Sequence, residues 1–145
     1  MQLTSHLFTH QSPIPADYTC KGRNVSPQLH IEDIPPNAKS LVLIMHDPDA
    51  PNGDFTHWVV WGIPPENTEI EEGSVPDTAS QGVSDFGTVG YGGPCPPSGT
   101  HRYMFELYAL DATLGLPQGS PRQAVETALR GHVLGQTKLV GLVSA

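Results

Sequence analysis

The sequence predicts a mostly-β protein, a β-sandwich with one helix near its C-terminus. Three observations carry that expectation. Gly and Pro number 15 each among 145 residues, a density of turn formers that suits short strands and disfavours a helical bundle. The apolar residues fall in short runs bounded by proline. One segment alone, close to the C-terminus, has both a helix start signal and a helical period. A chain of 145 residues is enough for one domain and can bury most of its apolar surface without staples, so a single domain over residues 1–145 is expected.

Taken in order, residues 7–9 and 28–31 are weak strand candidates. The run Leu41-Val42-Leu43-Ile44-Met45 is continuous and lies between Pro36 and Pro48. It reads as a central strand buried on both faces. Trp58-Val59-Val60-Trp61-Gly62-Ile63, stopped by Pro64-Pro65, is also strand-like. In the segment 103–110, Phe105, Leu107 and Ala109 share one face. Residues 139–143 are a last weak candidate, for seven to nine strands in all. For the helix, Ser120 fits the N-cap, Pro121 the first turn and Gln123 a capping box. Val125, Ala128, Leu129, His132 and Val133 then recur at helical spacing, and Gly131 and Gly135 mark the end.

The net charge is −8 with only 7 Lys and Arg. So few basic residues build neither a nucleic-acid face nor a membrane-surface patch. An acidic surface still allows one small anion site, because local donors decide that. Cys20 and Cys95 lie far apart in different loops. A disulfide framework is not expected, a single bridge stays open, and the lack of a CxxC pair speaks against a zinc knuckle. The N-terminus has neither a basic stretch nor an apolar core, and no run approaches the roughly 18 apolar residues that cross a bilayer. A cytoplasmic protein is expected.

Two loops stand apart. Residues 47–54 read DPDAPNGD and residues 87–99 read GTVGYGGPCPPSG. Loops at strand ends on a rigid sandwich are where binding groups usually sit. Asp47 and Asp49 fall on one side of an extended strand end. His57 follows at the head of the next strand, and a hairpin with a long loop brings it beside Asp47. His101, Arg102 and Tyr103 open the third strong strand. If these strands neighbour one another, carboxylates, imidazoles and a phenol converge at one end of the sandwich. Gly90, Gly92 and Gly93 permit close backbone approach, and their successive amides can form an anion-binding nest stiffened by Pro94, Pro96 and Pro97. No Gly-Lys-Ser/Thr follows, so this is not a P-loop.

Plainer readings stand beside these. Asp47 and Asp49 can simply cap their own turn, and the glycine loop can be only a tight turn. Alternation points His46 away from Asp47, which suits a structural role. His6, His10, His30 and His132 are scattered. Tyr91 and Tyr103 can be packing groups, Trp58 and Trp61 belong to the core, and Cys95 is read as structural.

DPDAP at 47–51, THWVVWGIP at 56–64, GYGGPCPPSGTHRYMFELYAL at 90–110 and YTCKGRNVSPQL at 18–29 resemble the phosphatidylethanolamine-binding protein (PEBP) family, most of all its bacterial Raf-kinase-inhibitor-like branch. The likeness runs over nearly the whole chain. It implies a Greek-key β-sandwich of two antiparallel sheets with a C-terminal helix. It also implies a pocket for phosphate, acetate or phosphoethanolamine-like groups. The family's pocket maps onto Asp47, His57, His101 and Tyr103, with Gly93 and Pro94 closing the mouth and Asp49 in the same box. Family members act as ligand-binding modulators of kinases, proteases and other partners, and the bacterial ones are described as homodimers. This chain is shorter than the eukaryotic pattern, so kinase regulation is not carried over.

The expected function is therefore binding of a small anion or phospho-group, with modulation of a partner protein and no cofactor. No HxH or HExxH spacing supports a metal. Two other readings compete. One is a weak hydrolase in which Asp47 and His57 activate water, without a GxSxG nucleophile. The other is a protein-interaction module, such as a protease or kinase inhibitor.

Overall fold

The computed structural model describes residues 1–145. In chain order it contains β1 (Gln2–Thr4), β2 (Ser12–Pro13), a 3-10 turn (Ala16–Tyr18), β3 (Leu29–Glu32), β4 (Ser40–Asp47), β5 (Phe55–Ile63), β6 (Glu69–Ile70), β7 (Ser80–Gln81), β8 (Thr100–Leu110), α1 (Arg122–Leu129) and β9 (Val133–Ser144). The small sheet runs β1-β3-β6 and the large one β2-β9-β8-β4-β5-β7. In the large sheet β8 returns to lie beside β4, giving the spatial order β8-β4-β5-β7 of a Greek key. The mostly-β sandwich with a C-terminal helix is thus as expected. One detail differs: β2 joins the edge of β9 in parallel, through Ser12 and Pro13 alone.

Why β4 is a continuous apolar run follows from its two faces. Leu41, Leu43 and Met45 enter a core shared with Leu29, Ile31 and Ile70 of the small sheet. Val42 and Ile44 pack on the other side with Val59, Trp61 and Leu110, beneath Val125 and Leu129 of α1. Alternation along β8 follows the same rule, with Phe105, Leu107 and Ala109 fully buried. Truncating a residue such as Leu43 to Ala costs about 2–5 kcal/mol.

The helix starts later than its sequence signals suggest. Ser120 does not cap it; its hydroxyl donates to the Pro117 carbonyl at 2.7 Å. Pro121 occupies the cap position, with no side-chain cap bond. His132 and Val133 lie beyond the helix, because β9 pairs with β8 along its whole length, from Leu110↔Val133 to Thr100↔Ser144. That continuous ladder outweighs the local helical period. Near the N-terminus, β1 at Gln2–Thr4 pairs with β3, while residues 7–9 lie outside any strand.

The cysteines form the single bridge that the sequence left open. Cys20 and Cys95 form a disulfide, with Cα atoms 5.4 Å apart. The Gly93–Cys95 stretch is anchored on the 18–24 segment, so the two loops that looked unrelated in sequence are neighbours. The Cys20 amide donates to the Pro94 carbonyl at 3.0 Å, and the Tyr91 hydroxyl donates to the Tyr18 carbonyl at 2.6 Å.

Candidate functional site

Topology alone explains why the candidate residues meet. β4 pairs antiparallel with both β5 and β8, so the C-terminal end of β4 lies beside the N-terminal ends of its two neighbours. Asp47 ends β4, Phe55 and His57 begin β5, and His101 and Tyr103 begin β8. Asp47 continues the inward series Leu41, Leu43, Met45, and His101 and Tyr103 continue the inward series of β8.

His57 reaches the same face by a different device. The β4–β5 register shifts by one between Met45↔Trp58 and His46↔Thr56. His57 is left without a partner across the ladder, as the extra residue of a β-bulge. A bulge re-aims a side chain. Here the His57 ring lies 5.3 Å from that of Tyr103, 4.9 Å from Phe55 and 5.4 Å from Phe86, centroid to centroid.

The resulting cavity has a volume of about 450 Å³. Its floor is Asp47, His57, His101 and Tyr103; its walls include Asp54, Phe55, Asp85, Phe86, Cys95, Pro96 and Pro97. A larger groove of about 720 Å³ lies between residues 64 and 78. It contains no imidazole, and acidic and hydroxyl side chains line much of it.

Hydrogen bonds fix how each floor residue is presented. His101 Nδ1 lies 2.7 Å from Asp47 Oδ2, and the other Asp47 oxygen accepts the Asp49 amide at 2.8 Å. His57 Nδ1 donates to the Gly92 carbonyl at 2.6 Å. A carboxylate and a carbonyl only accept, so both imidazoles carry a proton on Nδ1. Neither Nε2 has a protein partner, and neither is sealed from solvent. Burial holds His57 below the ordinary imidazole pKa, against the pull of the Gly92 carbonyl and the Asp47 and Asp85 carboxylates. Burial and the Asp47 carboxylate push the Tyr103 phenol well above its ordinary value, so it stays protonated.

The partnership differs from the expected one: Asp47 bonds His101, not His57. Asp49 leaves the cavity. Its carboxylate takes bonds of 2.9 Å from the amide and from two guanidinium nitrogens of Arg102, which bring its pKa down to about 2. Gly93 and Pro94 also lie outside the lining. The glycine amides do not form a nest. Gly90 donates to the Gly82 carbonyl and Gly92 to the His57 carbonyl, while Gly93 donates to Asn24 Oδ1 at 2.9 Å. A Cβ at Gly93 would sit 2.2 Å from that same Asn24 oxygen, so glycine is needed there for loop packing. From this loop it is Cys95, Pro96 and Pro97 that line the cavity.

His46 points to the opposite face, as alternation required. It lies between Asp54 at 2.7 Å and Glu106 at 2.6 Å, and Arg122 donates to the second Asp54 oxygen at 2.9 Å. Burial opposes charge on His46, but the Glu106 and Asp54 bonds outweigh it and raise its pKa. Asp54 therefore joins this outer network to the cavity wall. Phe55, Phe86, Asp54 and Asp85 were not singled out in sequence. Phe55 and Asp54 had a signal in lying between the DPDAP box and His57; Asp85 and Phe86 had none.

The family comparison agrees with this fold. The sequence model of the family described as phosphatidylethanolamine-binding protein matches residues 4–144. This chain belongs to the phosphatidylethanolamine-binding protein family. A UPF0098 protein of Methanothermobacter thermautotrophicus is 52% identical over 98% of this chain and 97% of its own length. One from Aquifex aeolicus is 48% identical over 98% and 87%. Among solved structures, a PEBP homologue from Chlamydia trachomatis superposes with a TM-score of 0.95 at 40% identity, covering 99% of this chain and 97% of that one. E. coli YbcL, described as a member of the mammalian PEBP family, gives 0.93 at 28% identity, covering 99% and 98%.

Proposed function

We propose that this chain is a binding protein for a small anion or phosphorylated group, seated between His101, His57 and Tyr103, and that it modulates a partner protein rather than turning over a substrate. The observation that carries this reading is the buried Asp47–His101 pair, 2.7 Å apart, with the other His101 nitrogen open to the cavity. Asp47 orients that imidazole and stabilises its charged form when a ligand oxygen approaches. Tyr103 adds a hydroxyl donor, and the Phe55–Phe86 wall lowers the local dielectric.

Binding is favoured over hydrolysis because no serine, threonine or free thiol lines the cavity; Cys95 is held in the disulfide. The nucleophiles left are a water activated by the Asp47–His101 pair and the open imidazole nitrogens themselves. The test is calorimetry with phosphate from pH 5.5 to 8. Affinity should rise as pH falls through about 6.5, where an ordinary imidazole gains its proton, and should be lost in His101→Ala. Absence of phosphate binding across the range would remove this reading.

A further inference from the structure

We infer that the cavity selects oxyanions that bring their own acid proton, taking phosphate as the free ion or a monoester and disfavouring sulfate and phosphodiesters. This rests on the phosphate-binding reading and adds a selection rule to it.

The argument starts from the donors and acceptors that face the ligand. A singly protonated imidazole at either position uses its proton at Nδ1, on Asp47 or on the Gly92 carbonyl. Each therefore turns a lone pair, not an N–H, toward the cavity. The lining contains no Lys or Arg. It does contain three carboxylates, Asp47, Asp54 and Asp85. Asp47 is engaged by His101 and the Asp49 amide, Asp54 by His46 and Arg122, and Asp85 by the Thr56 amide at 2.7 Å. The glycine amides that could have received an oxyanion are bonded within the protein. Among the side chains of the lining, the donors left are the Tyr103 hydroxyl, which also approaches Asp47, and the Asn52 amide. A fully deprotonated oxyanion thus sets its lone pairs against two imidazole lone pairs with no cation to compensate.

Two routes relieve the conflict. The ligand can bring O–H groups, or the imidazoles can take protons from solvent. The second route is costly for His57, buried among Tyr103, Phe55 and Phe86 and subject also to the charge of His46, despite the nearby Asp47 and Asp85. His101 instead faces the Asp47 carboxylate and Tyr103. Dihydrogen phosphate has two O–H groups and can donate to both Nε2 atoms. A monoester, with a second pKa of about 6, supplies one as its monoanion, in mildly acid solution. Sulfate, and a diester such as a phospholipid headgroup, supply none near neutral pH.

The test is calorimetry on the oxidised, full-length protein with phosphate, methyl phosphate, dimethyl phosphate and sulfate at pH 7.5 and 5.5. At pH 7.5 sulfate should bind at least about tenfold more weakly than phosphate, a gap of about 1.4 kcal/mol. At pH 5.5 methyl phosphate, by then mostly its monoanion, should bind more tightly than dimethyl phosphate. In His57→Gln the side chain offers an N–H to the cavity, and sulfate should gain on phosphate. Equal affinities of phosphate and sulfate at pH 7.5, or of methyl and dimethyl phosphate at pH 5.5, would overturn the selection rule while leaving the phosphate-binding reading standing. No binding of any of the four would remove the reading and the rule with it.

Discussion

Asp47 and His101 are 54 residues apart in sequence and 2.7 Å apart in space, both buried, on adjacent antiparallel strands. That pair joins the DPDAP box to the HRY box and decides which imidazole the cavity orients. Replacing Asp47 with Asn removes the charge that holds the His101 tautomer. Phosphate affinity should fall roughly 10- to 100-fold, the scale of one charge-assisted hydrogen bond of about 1.5–3 kcal/mol, as read by calorimetry. Asp47→Ala should also lower stability by about 1–3 kcal/mol, because the His101 and Asp49 N–H groups lose their acceptor.

Asp49 should behave differently from Asp47 although the two share one box. Its carboxylate serves Arg102 at the rim. In Asp49→Asn, phosphate affinity should stay within about twofold, while stability drops by no more than about 1 kcal/mol, as for other exposed pairs. A loss of affinity matching that of Asp47→Asn would return Asp49 to the ligand shell.

The outer His46 network gives a pH signature of its own. The Glu106 and Asp54 bonds, outweighing burial, raise the folded-state pKa of His46 above its unfolded value near 6.5. Its stabilising contribution is complete below about pH 6.5 and is lost as pH rises through the raised folded value, with a slope of at most about 1.4 kcal/mol per pH unit. His57 works in the opposite window: its depressed pKa favours the fold at higher pH, and that advantage is lost as pH falls below about 6.5. Urea unfolding from pH 6 to 8.5 should show a decline that His46→Gln flattens. A decline unchanged in that variant would assign it to another group.

The disulfide ties the cavity wall to the 18–24 loop. Cys20→Ser with Cys95→Ser should lower stability by roughly 2–4 kcal/mol, given the long loop that the bridge closes. Phosphate affinity should weaken as well, because residues 95–97 line the cavity. Unchanged stability in the double variant would mean that the backbone bonds to Pro94 and Asn24 suffice. Both cysteines are exposed. Disulfides persist in oxidising compartments or in intracellular proteins of hyperthermophiles, which bears on the cytoplasmic expectation.

How much of this could be read from the residues alone depends on range. The strands at Leu41–Met45 and at Trp58–Ile63 and the β8 face announce themselves because burial imposes its period on adjacent positions. The convergence of Asp47, His57, His101 and Tyr103 follows once those three strands are neighbours. Two features could not be read this way. The bulge at His57 is a property of register, which a sequence pattern does not specify there. The partners of the Gly92 and Gly93 amides, the His57 carbonyl and Asn24, come from distant segments, so amides that look free along the chain are occupied in the fold. The misplaced start of α1 has a local origin: Ser120 has the composition of a cap, but the turn that precedes the helix takes its hydroxyl to the Pro117 carbonyl.

The most direct test of the central claim is a 15N spectrum of the histidine side chains recorded while phosphate is added. The account predicts that the Nε2 resonances of His101 and His57 shift together and saturate at one affinity, with His46 and His132 unmoved, and that His101 does not respond in Asp47→Asn. Saturation that leaves both Nε2 signals in place, or that moves His132 instead, would contradict it.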